Sequence, residues 1–181
     1  MNIKTTNIFS TKQERLNLFD NTVKKYISED LYKYLIDNKF FEQFASTKFH
    51  GNYPGGLFDH SACVMKVLCE LTKSLNLKWM NERSPYIIGM FHDLCKIDEY
   101  KLCINGEIRH LENTLIKGHG EKSCMLLSQF MSLTEEEMLC IRYHMGAFKT
   151  EEWDQFSLAI KKYETVLWTH TADMYASKLL V

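Results

Sequence analysis

The amino-acid sequence predicts an all-α fold built as one domain over residues 1–181. Only two prolines and eight glycines occur in the chain, and this composition favours long helices. Hydrophobic residues make up 45% of the 181 residues, which suits a compact domain with a substantial core. Apolar residues recur at helical spacing in several segments, and no repeat, low-complexity tract or linker divides the chain. We therefore expect one helical body.

Residues 11–45 predict two or three amphipathic helices, which form an N-terminal helical extension over residues 1–45. Their apolar stripe consists of Leu16, Phe19, Val23, Tyr26 and Ile27. Turn residues over 50–56 indicate a loop, after which we expect Asp59 to cap the next helix. His60 begins the buried stripe of that helix. The stripe continues through Val64, Leu68, Leu71 and Leu75.

A central buried helix is predicted over residues 85–95, because apolar residues lie on nearly all of its sides. Pro85 suits its first turn. His92 and Asp93 directly follow the apolar run Tyr86–Phe91. Burying such polar side chains without a partner costs free energy, so this dipeptide requires partners from elsewhere in the chain.

A short β-hairpin near residues 99–111 is expected as an excursion from the helical body. Asn105 and Gly106 form its turn, because Asn-Gly between two β-compatible runs favours a hairpin. His119 and Gly120 then open a further helix.

Two more helices complete the predicted bundle. A capping box formed by Thr134 and Glu137 starts a helix that runs to His144 and stops near Gly146. A last helix is expected over residues 155–179. It places three residues on one face, namely Val166, His170 and Asp173.

Charge and composition exclude several classes of protein. The net charge is −1, so the chain has no broad basic field, and we expect no long nucleic acid as a partner. The N-terminus has no apolar signal segment, and no apolar run approaches the roughly 20 residues of a membrane span. We therefore expect a cytoplasmic protein without a membrane partner. Without C-x-x-C spacing, six cysteines are interpreted as core residues, namely Cys63, Cys69, Cys95, Cys103, Cys124 and Cys140.

Several polar residues fall on predicted buried faces or helix ends. They are His60, His92, Asp93, His119, His144, His170 and Asp173. Imidazoles and carboxylates together suit Mn, Fe, Co, Ni or Zn, and six ligands from this set of seven residues are more than one open catalytic ion needs. A site for two ions is one interpretation. The alternative is a set of core histidines, each with its own buried partner.

Five segments of the chain resemble the successive motifs of the HD-domain metal-dependent phosphohydrolase superfamily. They are GGLFDHS, GMFHDLCK, KGHGEKS, RYHMGAF and THTADMYAS. The nearest resemblance is to the HD half of bacterial 3′-to-5′ exoribonucleases that also carry an OB-fold, and it covers residues 45–178. The resemblance implies an HD-domain helical bundle of about five core helices, which agrees with the helical pattern derived above.

The resemblance also implies a ligand set for two divalent ions. Four ligands shared by the superfamily match His60, His92, Asp93 and Asp173. His119 and His144 match the two additional histidines of members that bind two metals, and Asp93 would be the bridging carboxylate. We expect Mn, Fe, Co or Ni, with Mg or Zn as further options.

Other residues near these motifs receive roles with open alternatives. Lys96 follows His-Asp at H-D-x-x-K spacing and is expected to act beside Asp93 by holding a phosphate oxygen, or else to be a solvated lysine. Substrate contacts are expected from His50, Tyr53 and Arg142. Outer supporting roles are expected from His170, toward Asp173, and from Glu121, toward His119. The alternatives are core packing for His170 and a solvated first-turn residue for Glu121.

The function expected from the resemblance is that of a metal-dependent phosphohydrolase acting on a nucleotide or short oligonucleotide. The metal would activate a water for attack on phosphorus. Only about 45 residues precede the HD region and they are predicted helical, so no OB-fold platform for a long strand is expected there. The alternatives are a di-iron HD-type oxygenase and a catalytically silent nucleotide- or metal-binding module. The sequence leaves the oligomeric state open.

Overall fold

The computed structural model describes residues 9–48, 51–103, 108–111, 116, 118–147 and 149–180. This part of the chain is mostly α-helical, as predicted. Its eight α helices are α1 (Lys12–Thr22), α2 (Glu29–Asp37), α3 (Gly56–Leu75), α4 (Ser84–Phe91), α5 (His119–Leu127), α6 (Glu135–Arg142), α7 (Thr150–Lys162) and α8 (Thr165–Tyr175). Short 3₁₀ turns occur at Lys24–Tyr26, Phe40–Glu42 and Leu94–Asp98, and a π turn follows α8 at Ala176–Leu180.

The predicted N-terminal helices are present and carry part of the core. Thr11 and Glu14 form a capping box at the start of α1. Phe19 and Val23 of the predicted stripe are fully buried. The expectation that Asp59 caps α3 is wrong, because Gly55 occupies the N-cap position.

A buried ion pair joins α1 to α3. Arg15 Nε and Nη2 donate to the two carboxylate oxygens of Asp59 at 2.8 and 3.1 Å. Both side chains are almost completely buried. A two-pronged contact of this kind fixes the direction as well as the position of both groups. It therefore holds the first turns of α3, where His60 lies, against the N-terminal helices.

Helices α3 and α4 form the centre of the fold. A Cβ atom added at Gly89 of α4 would lie 2.3 Å from Met65 Cα of α3, so only glycine allows this approach. The stripe predicted for α3 is buried from His60 to Leu71, whereas Leu75 at its end is exposed. Helices α6 and α8 pack against these two helices and complete the wall of the candidate site.

The central helix is shorter than the predicted range 85–95. Helix α4 ends at Phe91, and Asp93 leaves α-helical geometry with φ −106° and ψ 21°. The chain continues as the 3₁₀ turn Leu94–Asp98, in which Lys96 N–H donates to the Asp93 carbonyl. This tighter turn changes the directions in which the residues after Asp93 point.

The predicted hairpin near 99–111 is confirmed by the pairing of two strands. Strand β1 (Tyr100–Leu102) pairs antiparallel with β2 (Ile108–His110), with Tyr100 opposite His110. The predicted Asn105-Gly106 turn lies outside the described residues. The hairpin emerges directly after the 3₁₀ turn Leu94–Asp98, which itself packs against α5.

The C-terminal region contains two helices where one was predicted over 155–179. Helix α7 ends at Lys162, because Tyr163 has extended backbone (φ −134°, ψ 100°) and its hydroxyl donates to Glu135. Helix α8 then starts in its own direction. The capping box of α6 is confirmed, but α6 ends at Arg142, so His144 lies in the turn after it. No helix in the described ranges combines the length and apolarity that a membrane span requires.

Candidate metal centre

Five of the predicted polar residues meet in the interior between α3, α4, α6 and α8. His60 lies in the second turn of α3, His92 and Asp93 follow α4, His144 follows α6, and Asp173 lies on α8. None of the five is more than 9% exposed. Buried imidazoles and carboxylates need partners, and these residues are one another's partners.

In the inner part of this cluster, the two imidazole rings and a carboxylate lie close enough together to bind one metal ion. His60 Nε2 lies 3.1 Å from His92 Nε2 and 3.1 Å from Asp173 Oδ1. One ligand atom from each of His60, His92 and Asp93 lies within 4.8 Å of the others. Two imidazole nitrogens on one tetrahedral zinc ion lie about 3.3 Å apart, so the observed ring spacing fits a shared ion closely.

Backbone carbonyls fix the orientation of two histidine rings. His92 Nδ1–H donates to the Gly89 carbonyl at 3.0 Å, and His144 Nδ1–H donates to the Ile141 carbonyl at 2.7 Å. In the neutral ring, this bond leaves the lone pair on Nε2, which faces the cluster. Metal-binding histidines are commonly oriented in this way by a partner on the other nitrogen.

An unusual contact between two acceptors supports the fit of a cation. Asp93 Oδ1 and His144 Nε2 lie 3.4 Å apart and are buried, and neither has a hydrogen-bond partner among the described residues. With a neutral His144 ring, two lone pairs would face each other in the interior, which is unfavourable unless a proton or a metal ion lies between them. The donor set and its geometry thus fit a divalent metal ion.

Neighbouring side chains keep Asp93 in its charged form. Burial alone would raise the pKa of Asp93, but the ammonium of Lys96 and the ring of His92 hold that pKa well below its usual range. Lys96 Nζ contacts Asp93 Oδ2 at 2.7 Å. Asp93 is therefore a carboxylate at neutral pH. The two oxygens of Asp93 face different parts of the cluster. Oδ2 faces the rings of His60 and His92, and Oδ1 faces the ring of His144.

The two central histidines have opposite protonation tendencies. Burial lowers the pKa of His60. Burial also disfavours the charged form of His92, but the neighbouring Asp93 carboxylate outweighs it and raises the pKa of His92. Since the two Nε2 atoms are in contact, a proton on one ring opposes a proton on the other.

A second group of ligand atoms adjoins the first and shares Asp93 with it. One ligand atom from each of Asp93, Cys95 and His119 lies within 4.8 Å of the others. His119 Nδ1 is 3.3 Å from Cys95 Sγ and 3.4 Å from Glu99 Oε2. His119 was predicted as a ligand from the sequence, whereas Cys95 was interpreted as a core residue and Glu99 was given no role. Cysteine in an apolar run is typical of a core residue, and only the 3₁₀ turn brings Cys95 to His119.

The residues expected to support the ligands have other partners. His170 Nδ1–H donates to the His144 carbonyl at 2.8 Å, so it holds the backbone of His144 rather than the Asp173 carboxylate. Glu121 forms an ion pair with Arg142 at 3.2 Å. The carboxylate beside His119 is that of Glu99.

Two of the predicted substrate residues, Tyr53 and Arg142, have partners outside this cluster. Tyr53 donates to Asp59 at 3.2 Å, and burial together with this carboxylate raises the pKa of its hydroxyl. Arg142 is exposed and paired with Glu121. His50 lies outside the described residues. The substrate roles assigned to these residues stay predictions.

A cavity of about 430 Å³ opens beside the cluster. Its walls include His119 and His144, and it also meets the side chains of Arg142, Lys149 and Glu152. The cavity therefore connects candidate ligands with solvent and carries charges of both signs. A volume of this size is typical of small-molecule sites.

Comparison with known proteins gives no match. No family model matches the chain, and neither a curated protein nor a solved structure gives a significant match to it. The site is accordingly described by its own geometry. It is a buried His, Asp and Cys cluster in a mostly α-helical fold, it could hold a metal ion, and it is compatible with an HD-type metal site.

Proposed function

We propose that this chain is an HD-type metal-dependent phosphohydrolase that acts on a nucleotide or a short oligonucleotide. The observation that carries the proposal is the position of Asp93, which belongs to both groups of ligand atoms. A carboxylate can bridge two metal ions, whereas an imidazole binds one. A pair of ions about 3.5–4 Å apart is the common arrangement in phosphoester hydrolysis.

The residues would divide between two ions with Asp93 as the bridge. His60, His92 and Asp173 would hold the inner ion, and His119 and His144 the outer one. Mn, Fe, Co and Ni suit this mixture of imidazole and carboxylate best. When bound, such ions lower the pKa of a water toward neutrality and offset negative charge on a phosphoryl group.

The chain itself supplies charge and position around the reacting group. Lys96 uses one of its three N–H donors in the contact with Asp93. The other donors can bind a phosphoryl oxygen at the same edge of the cluster. The hydrogen bond from His170 to the His144 carbonyl holds the turn after α6 in place. These contacts preorganise the site before substrate arrives.

The adjoining cavity supports a small phosphorylated substrate. At about 430 Å³ it has room for one nucleotide, and Arg142 and Lys149 lie in its wall. Arg142 would exchange its exposed contact with Glu121 for a phosphate, which costs little because surface ion pairs are weak. The near-neutral net charge of the chain also favours a short substrate over a long strand.

A substrate panel tests this proposal. Metal-free protein is reloaded with Mn²⁺, Co²⁺, Ni²⁺ or Mg²⁺ and assayed against nucleoside monophosphates, dinucleotides and a chromogenic phosphodiester. We expect metal-dependent release of phosphate or nucleotide. The His92→Ala variant should be more than about 100-fold slower, because removing a metal ligand costs more than removing a side chain that only orients a ligand. The exposed Lys162→Ala variant is the matched control and should keep full activity.

Three results would overturn the proposal. No hydrolysis of any ester by metal-loaded protein would exclude the reaction class. Oxygen consumption by the iron-loaded protein, absent with manganese, would indicate an oxygenase instead. Tight nucleotide binding without product under every metal would indicate a binding module.

A further inference from the structure

The outer part of the centre contains a thiol. We propose that Cys95 is a metal ligand there and that, with Asp93 and His119, it makes the outer position selective for thiophilic divalent ions such as Zn²⁺, Co²⁺ and Cd²⁺. This inference rests on the proposed metal centre but not on the phosphohydrolase reaction. It concerns which ion the outer position prefers.

The spacing of the ligand atoms fits a shared ion. Cys95 Sγ is 3.3 Å from His119 Nδ1, and one ligand atom from each of Asp93, Cys95 and His119 lies within 4.8 Å of the others. Metal–sulfur and metal–nitrogen bonds of about 2.3 and 2.0–2.1 Å at a tetrahedral angle place S and N about 3.5 Å apart. A shift of a few tenths of an ångström would therefore accommodate the ion.

The backbone holds the thiol at this position. Cys95 N–H donates to Ser123 Oγ at 3.1 Å, and both residues are fully buried. Ser123 lies on α5, the same helix that begins with His119. The 3₁₀ turn and α5 are thus tied together at Cys95 itself and one helical turn after His119. Ligands on rigid, connected elements suit a specific site.

A further oxygen donor faces the same point. Glu99 is buried, and its Oε2 lies 3.4 Å from His119 Nδ1, the ring atom that also faces Cys95 Sγ. The other oxygen of Glu99 accepts from Lys122. Besides the ring of His144, the outer position therefore offers sulfur, the His119 nitrogen and two carboxylate oxygens, a donor set in which the thiolate favours a zinc-like ion.

The chemistry of binding is simple. The Cys95 S–H bond gives up its proton to solvent and Sγ forms a bond to the metal, with no change of oxidation state. The competing interpretation is that the thiol merely donates a hydrogen bond to His119 and packs in the core.

Cobalt titration distinguishes the two interpretations. Metal-free protein is titrated with Co²⁺ and followed by optical absorption. We expect an intense near-ultraviolet thiolate-to-cobalt charge-transfer band in the wild type, its loss in Cys95→Ser and its retention in Cys140→Ser. Cys140 is the matched control, because it is equally buried and its Sγ contacts Thr165. Bound cobalt without this band in the wild type, or an unchanged band in Cys95→Ser, would overturn the inference.

A thermal-shift comparison of soft and hard ions gives an independent result. Cys95→Ser should weaken Cd²⁺ binding by at least about 10- to 100-fold and leave Mn²⁺ binding nearly unchanged. Equal losses for the two ions would contradict a thiolate ligand. Cys95→Ala replaces Cys95→Ser if the serine variant does not fold. Binding of ions without cobalt–thiolate absorption refutes only this inference, whereas failure to bind any divalent ion refutes the proposed function as well.

Discussion

Replacement of Lys96 by methionine removes the ammonium that lies nearest to Asp93 and keeps most of the length of the side chain. Lys96 Nζ contacts Asp93 Oδ2 at 2.7 Å, and the two side chains are only 10% and 3% exposed. Breaking one partner of a buried pair leaves the other charge uncompensated, which typically costs about 3–5 kcal/mol. The lower end applies here, because His60 and His92 also lie within 4 Å of Asp93.

The expected effect is large enough to measure by thermal unfolding. A loss of about 3 kcal/mol corresponds to a melting temperature lowered by about 6–12 °C in a chain of this size. The measurement is made first in chelator and then in saturating Mn²⁺. We expect the difference between Lys96→Met and wild type to shrink in Mn²⁺, because the bound cation replaces the missing positive charge beside Asp93.

The control and the refuting results are defined by the same assay. Lys162→Met removes an exposed lysine paired with Glu135 and should leave the melting temperature unchanged. If Lys96→Met and the wild type have the same melting temperature in chelator, Lys96 does not balance the charge of Asp93. If its deficit is undiminished by every divalent ion, Asp93 does not face a cation site.

Three further predictions concern other parts of the molecule. Arg15→Met should lower the free energy of unfolding in urea by about 3 kcal/mol, because it leaves the buried Asp59 carboxylate without its counter-charge and with the Tyr53 hydroxyl as its remaining partner; a wild-type midpoint would contradict this. Gly89→Ala should force α3 and α4 apart and lower both the melting temperature and metal affinity, whereas a stable variant that binds metal normally would refute the packing argument. The stabilisation by Mn²⁺ should grow from about pH 6 to about pH 8, because protons compete for His92, whose pKa is raised above its ordinary value; a pH-independent thermal shift would contradict His92 as a ligand.

The inner half of the candidate site could be predicted from the sequence because its residues violate a local pattern. His92 and Asp93 end an apolar run, and His60 begins an apolar stripe. Helical periodicity places such residues on a buried face, and the cost of burying them implies a common partner. The structure brings these three side chains together.

The outer half could not be predicted in the same way. Cys95 violates no pattern, since a cysteine in an apolar run is an ordinary core residue. Its contact with His119 depends on the 3₁₀ turn Leu94–Asp98 and on the bond from its N–H to Ser123. The position of the Glu99 carboxylate likewise depends on its hydrogen bond from Lys122, which lies 23 positions further along the chain. Such contacts arise from tertiary packing and leave no local signal.

The prediction of one last helix over residues 155–179 was wrong for a related reason. The apolar residues of 155–179 recur at helical spacing, which favours one continuous helix. The Tyr163 hydroxyl, however, donates a hydrogen bond to Glu135 on α6. That contact accompanies extended backbone at Tyr163 and lets α8 turn Asp173 toward His60. Tertiary contacts thus override local helix propensity at a position that matters for the site.

The most direct test of the metal centre is the binding stoichiometry of metal-free protein, measured by calorimetric titration with Mn²⁺ and checked by elemental analysis. The wild type should bind two ions per chain, and Asp93→Asn should lose both, because Asp93 belongs to both groups of ligand atoms. His60→Ala should lose only the inner ion, with circular dichroism confirming that each variant is folded. Absence of saturable binding in the wild type, or full stoichiometry in folded Asp93→Asn, would contradict a metal centre shared through Asp93.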